Sequence, residues 1–260
     1  MRVPHWAATW LEHWPPALQL LSLRHQGLAL TPLELCALGR QNGVAAAAFG
    51  PEPTAGADAL VLSCLTGRLD TLLRQLGGNR AFIRLGSRSP KDTPLAVLGG
   101  LEVRSGAEAL AVLCAGSARL AFDLRVALQA DLPVWVFLRE WVDISWPDEW
   151  RGFLRRGRLV AACPYHYRHP LPPSASIEAI QRNLIRMGAA VAAARRGSPE
   201  ADLVFDVWLP AGDGHAAKLI EINPWGEPTD AGLFSWADAD LDGTLRWRSD
   251  AGLCCVPLVS

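Results

Sequence analysis

Three oxygen-bearing side chains have types and a spacing that suit metal chemistry. Glu221 and Asn223 are two positions apart in the strand-like run 218–224, so both lie on one face of a strand. Asp206 lies in the strand-like run before it, and the Asp-Gly turn signal within 211–214 predicts a hairpin that brings Asp206 opposite that face. Two carboxylates and an amide oxygen suit a hard divalent cation that keeps some waters and binds substrate phosphates. These residues therefore predict a magnesium site that works with a nucleotide.

The same alternation predicts which residues of this strand are buried. Leu219 would share the face of the polar residues, whereas Ile220 and Ile222 would point toward the core. The alternative is that the three polar side chains form the solvated face of a hairpin, and the strand alone favours neither interpretation. Pro224 and Trp225 stiffen the exit and place an aromatic ring beside the acids, which favours a site.

The positively charged residues indicate where phosphates would bind. Arginine replaces lysine almost everywhere, and Lys91 and Lys218 are the only lysines in the sequence. Lys91 belongs to the loop 86–92, Gly-Ser-Arg-Ser-Pro-Lys-Asp, which follows a predicted strand at 81–85. Such a loop could cradle phosphates with its backbone N–H groups. It lacks the Walker pattern, and taken alone it fits a solvated connector better.

Two further segments could contact a nucleotide. The run 132–138 is almost entirely apolar, as a central buried strand is, and its exit at 139–142 could hold an adenine or could equally be a domain linker. Glu149 and Arg151 share one face of the next predicted strand. Arg151 could hold phosphate and Glu149 a ribose or a cation, and a surface ion pair is the alternative.

Composition limits the function classes. With 260 residues, half of them hydrophobic, the chain can bury one large core or two lobes. Its net charge of -1 provides no general basic field, so we expect no nucleic-acid partner. No apolar run has the length of a membrane span and the N-terminus lacks an apolar signal core, so we expect a cytoplasmic protein without a membrane partner. The six cysteines lack CxxC spacing, which is typical of reduced core thiols, and we expect neither disulfides nor zinc.

Periodicity and turn signals predict the remaining elements. Trp6, Trp10 and Trp14 recur every four residues, which predicts a helix that packs through this stripe and ends at Pro15-Pro16. Thr31 begins a capping box ahead of another helix. Further helices are predicted at 59–77, at 106–128 in two pieces, and at 175–196, a strand at 27–30, and a hairpin over 150–163 that turns at Arg156-Gly157. Residues 45–58 are predicted to be a loop.

Four blocks of the sequence resemble the cell division cycle protein 123 family, a branch of the ATP-grasp fold. They are Phe82–Asp92, Val136–Val142 with Glu149–Arg155, Val204–Trp208, and Leu219–Trp236, in the family's order. The last block, LIEINPWGEPTDAGLFSW, is the most specific because it is far longer than a chance motif. The resemblance implies an α+β ATP-grasp fold in which two lobes with mainly antiparallel sheets enclose a nucleotide cleft. The implied division is an N-terminal helical region at 1–60, a small lobe at 61–135 and a large lobe at 136–260.

The resemblance also implies that ATP and Mg²⁺ are cofactors and assigns a role to each matching residue. The residues that would contact ATP are Arg84, Gly86, Ser87, Ser89, Arg139, Glu140, Trp141, Val142, Glu149, Arg151, Asp206, Glu221 and Asn223. The last three would also hold the metal, with Glu221 where aspartate is more usual, and Arg84 stands where the pattern has lysine. Tyr165 stands where the family has a phosphate-facing arginine, and Arg158 or Arg168 could replace that cation.

Two classes of function remain open. The resemblance implies an ATP-dependent assembly factor for eukaryotic translation initiation factor 2, acting on its gamma subunit. The arginine- and alanine-rich composition is typical of a GC-rich genome and indicates a bacterial-type homologue, where that partner would be absent, so the protein or small-molecule partner stays open. The second hypothesis is a ligase that joins a carboxylate to an amine through an acyl phosphate, with Arg84, Lys91 and Arg151 stabilising the phosphoryl group. A kinase that acts on a hydroxyl is a third, weaker alternative.

Overall fold

The computed structural model describes residues 5–44, 56–196, 202–211, 216–227, 229–237 and 240–258. Short 3-10 turns lie at His5–Thr9, Leu11–His13 and Trp146–Asp148. The helices are α1 (Pro16–Leu21), α2 (Pro32–Gln41), α3 (Ala57–Leu76), α4 (Pro94–Gly99), α5 (Gly106–Leu113), α6 (Ala118–Ala130) and α7 (Ile177–Ala194). The strands are β1 (His25–Ala29), β2 (Ala81–Leu85), β3 (Glu102–Val103), β4 (Trp135–Glu140), β5 (Glu149–Arg155), β6 (Arg158–Pro164), β7 (Leu203–Trp208), β8 (Lys218–Pro224), β9 (Thr244–Ser249) and β10 (Gly252–Pro257).

The first of two compact units comprises Met1–Glu12 and Arg24–Val142. Its four-stranded sheet has the order β1-β4-β2-β3, and every pairing in it is antiparallel. The core is rich in leucine because α3 repeats leucine at helical spacing along one face; its buried residues are Leu62, Leu65, Leu69, Leu72, Leu73 and Leu76. The loop that follows β2 is attached to this sheet through the Gly86 amide, which donates to the carbonyl of Trp135 at the start of β4.

The second unit comprises His13–Leu23 and Asp143–Ser260. Its six-stranded sheet has the order β10-β9-β6-β5-β7-β8 and is antiparallel except where β6 pairs with β9. Leu154 and Leu159 face Gly188 of α7. Phe153, the next residue along β5, contacts Phe234 and Trp236, so an aromatic cluster covers the opposite face.

Most predicted elements are confirmed. Thr31 accepts a hydrogen bond from the Glu34 amide and Glu34 reaches back to the Thr31 amide, which completes the capping box of α2. The predicted helix pair at 106–128 corresponds to α5 and α6, and the helix predicted at 59–77 is α3. Arg156 and Gly157 have φ of 50° and 73°, so the β5–β6 hairpin turns where expected, with both residues left-handed.

The prediction for the first segment was wrong. The tryptophan stripe does not form one helix, because two 3-10 turns occupy 5–13 and α1 begins at Pro16 rather than ending before it. Proline is accepted there because the first helical position needs no N–H donor. Trp10 and Trp14 are buried, as a packing role requires. Strands β9 and β10 were not predicted at all, and most of the predicted loop 45–58 lies outside the described residues.

The cysteines also differ from the expectation of core thiols. Only Cys163 is buried, Cys36, Cys114 and Cys254 are half-buried, and Cys64 and Cys255 are exposed; all six are unpaired. The boundaries at 60 and 135 stay a prediction, although β1 pairs with β4 and so shares a sheet with later residues. None of the described helices combines the length and apolar character that crossing a bilayer demands.

Candidate functional site

Three adjacent strands of the second unit bring the predicted metal and phosphate residues into one row. Arg151 of β5 lies opposite Asp206 of β7, and Asp206 lies opposite Glu221 of β8. Asn223, two positions further along β8, donates its side-chain amide to Asp206 Oδ2 at 3.1 Å. The hairpin inferred from sequence therefore places Asp206 opposite Glu221, as expected, although residues 212–215 of its loop lie outside the described residues.

A β-bulge in β8 changes which residues are buried. Val207 pairs with Leu219, whereas Asp206 pairs with Glu221, so Ile220 is an extra residue on this strand. Leu219 is consequently buried with Ile222, and Ile220 is half-exposed. The prediction that Ile220 points to the core and Leu219 away from it was wrong, because the bulge interrupts the alternation of side chains between the two faces of the strand.

Arg151 and Asp206 form a two-pronged buried ion pair. Arg151 Nε lies 2.8 Å from Oδ1 of Asp206, and a terminal nitrogen lies 2.9 Å from Oδ2. The exposed fraction of the side chain is 10% for Arg151 and 1% for Asp206. The Asp206 carboxylate raises the pKa of Arg151 even though burial acts against the charge. The residue predicted to bind phosphate thus directly contacts the residue predicted to bind metal.

Asp230 and Tyr165 complete the surroundings of Arg151. Its remaining terminal nitrogen donates to the backbone carbonyl of Asp230 at 2.7 Å, and its guanidinium lies 5.0 Å from the centre of the Tyr165 ring. Tyr167 donates to the Asp230 carboxylate at 3.2 Å. The Gly-Glu-Pro-Thr-Asp stretch was a signal for Asp230, but its contact uses a backbone atom, which residue type does not reveal.

The two arginines considered as replacements for the missing cation lie in different places. Arg158 begins β6 at the hairpin turn, at the opposite end of that strand from Tyr165, and it is exposed. Arg168 is exposed and lies over the Tyr167 ring, 5.7 Å from its centre. Arg168 is therefore the nearer of the two to Tyr165, both along the chain and through its contact with the Tyr167 ring.

Acidic side chains cluster around Asp206. Burial raises the pKa of the Asp206 carboxyl, Arg151 acts against this shift, and the nearby charges of Glu221 and Glu149 add to it. Asp206 thus interacts with two other carboxylates as well as with the guanidinium that binds it. Among the described residues no three His, Cys, Asp or Glu side chains form a ready metal cage. Two carboxylates and one amide oxygen nevertheless fit the hard oxygen ligands that Mg²⁺ takes together with waters and phosphates.

Glu149 lies at the start of β5, beside a histidine. Its carboxylate is 3.4 Å from Nε2 of His166, and its backbone carbonyl accepts from the Tyr165 amide at 2.9 Å. His166 is half-buried, whereas His169 is exposed. A carboxylate and an imidazole at this edge can accept and donate hydrogen bonds to a polar ligand.

Hydrogen bonds from a buried arginine stabilise the loop after β2, in the first unit. Arg84 is buried and donates to the carbonyls of Leu85 and Ser87, at 2.9 and 3.2 Å. A Cβ at Gly86 would overlap the Glu12 carboxylate, so the Glu12 side chain would have to move to accept any residue other than glycine. Arg84 thus shapes the backbone of the loop that was predicted to lie along the nucleotide.

Carboxylates of α6 and of the loop itself fix its other residues. Asp123, which is 2% exposed, accepts from Ser87 Oγ at 2.6 Å and from Arg88 Nε at 2.8 Å. Asp92 accepts from Ser117 Oγ, the N-cap of α6, at 2.6 Å. The other two predicted residues of this loop differ in exposure: Ser89 is buried, and Lys91 is exposed.

The predicted adenine-side residues follow β4. Arg139 is 2% exposed and pairs across the sheet with Phe82 and His25. Glu140 accepts from Arg24, at 2.7 Å from Nε and 2.9 Å from the backbone amide. Trp141 and Val142 are half-buried at the end of the unit.

Comparison with known proteins identifies the fold and then the family. The structure of Cdc123 from Schizosaccharomyces pombe superposes with a TM-score of 0.68 over 90% of each chain at 21% sequence identity. The chain therefore has the α+β ATP-grasp type of fold with mainly antiparallel sheets, as predicted. The family model described as D123 matches residues 55–251, and the chain belongs to this family, that of cell division cycle protein 123.

The curated relatives are longer than this chain, and each match covers only part of the relative. The cell division cycle protein 123 of Phaeosphaeria nodorum is 26% identical over 181 residues, which are 65% of this chain and 46% of the relative. A protein of Sclerotinia sclerotiorum named translation initiation factor eIF2 assembly protein is 31% identical over 106 residues, 39% of this chain and 24% of the relative. The Schizosaccharomyces pombe protein of that name is 26% identical over 188 residues, 66% of this chain and 56% of the relative. The matches thus span between a quarter and just over half of these relatives.

Proposed function

We propose that this protein binds Mg-ATP and acts as an ATP-dependent assembly factor on a protein partner. The metal would be held by Asp206, Glu221 and Asn223 of β7 and β8. When bound, it supplies positive charge that neutralises the triphosphate. The assembly role is taken from the printed names of the relatives, two of which are called eIF2 assembly proteins. The partner here is a protein, and its identity is left to experiment.

The observation that carries the proposal is the cluster of acidic side chains around buried Asp206. Burying carboxylates near one another costs free energy, and the charges of Glu221 and Glu149 add to the effect of burial at Asp206. A divalent cation bound among them would reduce this repulsion. An amide beside the two carboxylates adds a third oxygen without adding charge.

The ordered loop after β2 is the second support. Its backbone conformation is set by Arg84, Ser87 and Asp123 before any ligand arrives. A prearranged loop loses little conformational entropy when it binds phosphate oxygens. We propose that its N–H groups and exposed Lys91 contact the phosphates, and that Arg139–Val142 contacts the adenine.

Isothermal titration calorimetry tests the Mg-ATP site. ATP should bind the wild-type protein with Mg²⁺ and at least tenfold more weakly with EDTA. Asp206→Asn and Glu221→Ala should lose the magnesium-dependent part, while Glu178→Ala, an exposed carboxylate on α7, should bind as wild type does. Thermal unfolding of each variant checks the fold. Unchanged affinity in both site variants would remove these residues from the metal site.

A second experiment separates the assembly factor from the ligase. The protein is incubated with Mg-ATP and pools of carboxylates and amines, and ADP and phosphate are measured. An assembly factor should release no more ADP with these acceptors than it does without them. With ATP present, it should instead form a stoichiometric complex with a protein partner. Steady ADP release that depends on one carboxylate and one amine would instead establish the ligase, and transfer of labelled phosphate to a stable product would establish a kinase.

A further inference from the structure

Both oxygens of the Asp206 carboxylate accept hydrogen bonds from neighbouring side chains. Arg151 binds both oxygens, and Asn223 donates a third hydrogen bond to Oδ2. The side chain of Asp206 is 1% exposed, so it is almost completely shielded from bulk solvent. A divalent cation at Asp206 would also lie within a few ångströms of the guanidinium, where like charges repel strongly. Arg151 and a metal ion therefore exclude each other at this carboxylate.

Arg151 has a second set of partners that does not include Asp206. The carbonyl of Asp230 accepts from a separate terminal nitrogen at 2.7 Å, and the Tyr165 ring supports the guanidinium at 5.0 Å. A guanidinium has five N–H donors in one plane, so it can leave two acceptors and keep a third. These contacts would still hold the guanidinium if it left Asp206.

We propose that Arg151 is an internal cation that holds the place of the divalent metal on Asp206 and must leave it before the metal binds. The proposal rests on the proposed function for the identity of the metal site. It makes Arg151 a positioning residue, which holds the Asp206 carboxylate in place until the metal binds. It also predicts that anything that attracts Arg151, such as a phosphate group, favours metal binding, and that the metal in turn favours phosphate by the same factor.

Binding of Mn²⁺ without nucleotide tests this exclusion directly. Free Mn²⁺ is measured by electron paramagnetic resonance in titrations of wild type, Arg151→Gln and Arg151→Lys. Removing the guanidinium should tighten Mn²⁺ binding by about tenfold or more, which is about 1.4 kcal/mol. Arg151→Lys keeps the positive charge but cannot bind both carboxylate oxygens as the guanidinium does. The Mn²⁺ affinity of this variant should therefore lie between those of wild type and Arg151→Gln. The matched control is Arg155→Gln, on the same strand, which faces Asp202 at 3.9 Å and should bind Mn²⁺ as wild type does.

The fold of each variant is checked by circular dichroism, because Arg151→Gln leaves a buried carboxylate without its partner. If Arg151→Gln does not fold, Arg151→Lys decides alone. The double variant Arg151→Gln/Asp206→Asn should lose the gain in affinity. Folded Arg151 variants that bind Mn²⁺ no more tightly than wild type would overturn the proposal, and so would a gain that survives Asp206→Asn. Because no ATP is present, this outcome is independent of whether the wild-type protein binds Mg-ATP.

Discussion

Burial of individual side chains decides which of the six thiols can react. Cys163 is fully buried, and its Sγ lies where a side chain at Gly232 would be. Burial raises the pKa of Cys163 to about 12 and that of Cys114 to about 11. Because the thiolate is the reactive form, neither thiol is a nucleophile near neutral pH. Cys64 and Cys255 are exposed and lack this protection.

Labelling with a thiol-specific reagent at about pH 8 should therefore modify Cys64 and Cys255 first. Cys163 should remain unmodified in the folded protein and react after denaturation, because unfolding removes the desolvation that raises its pKa. Mass spectrometry of labelled peptides measures the order. The double variant Cys64→Ser/Cys255→Ser is the control, and rapid labelling of Cys163 in its native form would contradict the burial described for this residue.

Two glycines illustrate how the strands and helices respond differently to one methyl group. A Cβ at Gly152 of β5 would lie 2.3 Å from the Phe205 ring of β7, whereas a Cβ at Gly67 of α3 would meet nothing within 4 Å. Gly152 exists because its cross-strand neighbour fills the space of a side chain. At Gly67 no neighbour fills the space of a side chain. Glycine within a helix is less favourable than alanine.

Gly152→Ala should lower the free energy of unfolding by about 1 to 3 kcal/mol, because the Phe205 ring must move. Gly67→Ala should raise it by up to about 1 kcal/mol through helix propensity. Urea denaturation of both variants beside wild type measures the two changes with opposite signs. A Gly152→Ala variant as stable as wild type would mean that Phe205 is not held against β5.

The elements that could be predicted from sequence are those whose cause is local. The Thr31–Glu34 capping box and the Arg156-Gly157 turn each lie within a few residues, so residue types suffice. The pairing of Arg151 with Asp206 joins residues 55 apart and depends on the register of three strands. The extra residue at Ile220 depends on the same register. Residue types were therefore enough to select Arg151 and Asp206 as candidates, but not to predict that their side chains bind each other.

The response of the whole molecule to acid combines carboxyl groups with opposite shifts. Hydrogen bonding by Arg246 lowers the pKa of Asp240, so its contribution to stability is present above the unfolded value and lost as the pH falls through the folded one. Burial raises the pKa of Asp148, so the folded state binds a proton more readily and this group becomes less destabilising as the pH falls.

Asp240→Asn should therefore reduce the loss of Tm between about pH 5 and about pH 3, whereas Asp148→Asn should increase it. Differential scanning calorimetry at both pH values measures the two losses against wild type. Both are single aspartates replaced by a neutral isostere, so each serves as the control for the other. Equal losses in the two variants would contradict the opposite directions of their pKa shifts.

The second unit includes a segment from near the beginning of the chain. Residues His13–Leu23 belong to it, and Ser22 forms a bridge with Leu219 of β8, about 200 residues later. On a ribosome that adds about 5 to 20 residues each second, that segment waits about 10 to 40 s for its neighbour to be synthesised. During this interval Leu18, which is fully buried in the folded protein, lacks the later elements α7 and β8 on which α1 packs. Completion of this unit is therefore delayed until the residues around Leu219 have been synthesised.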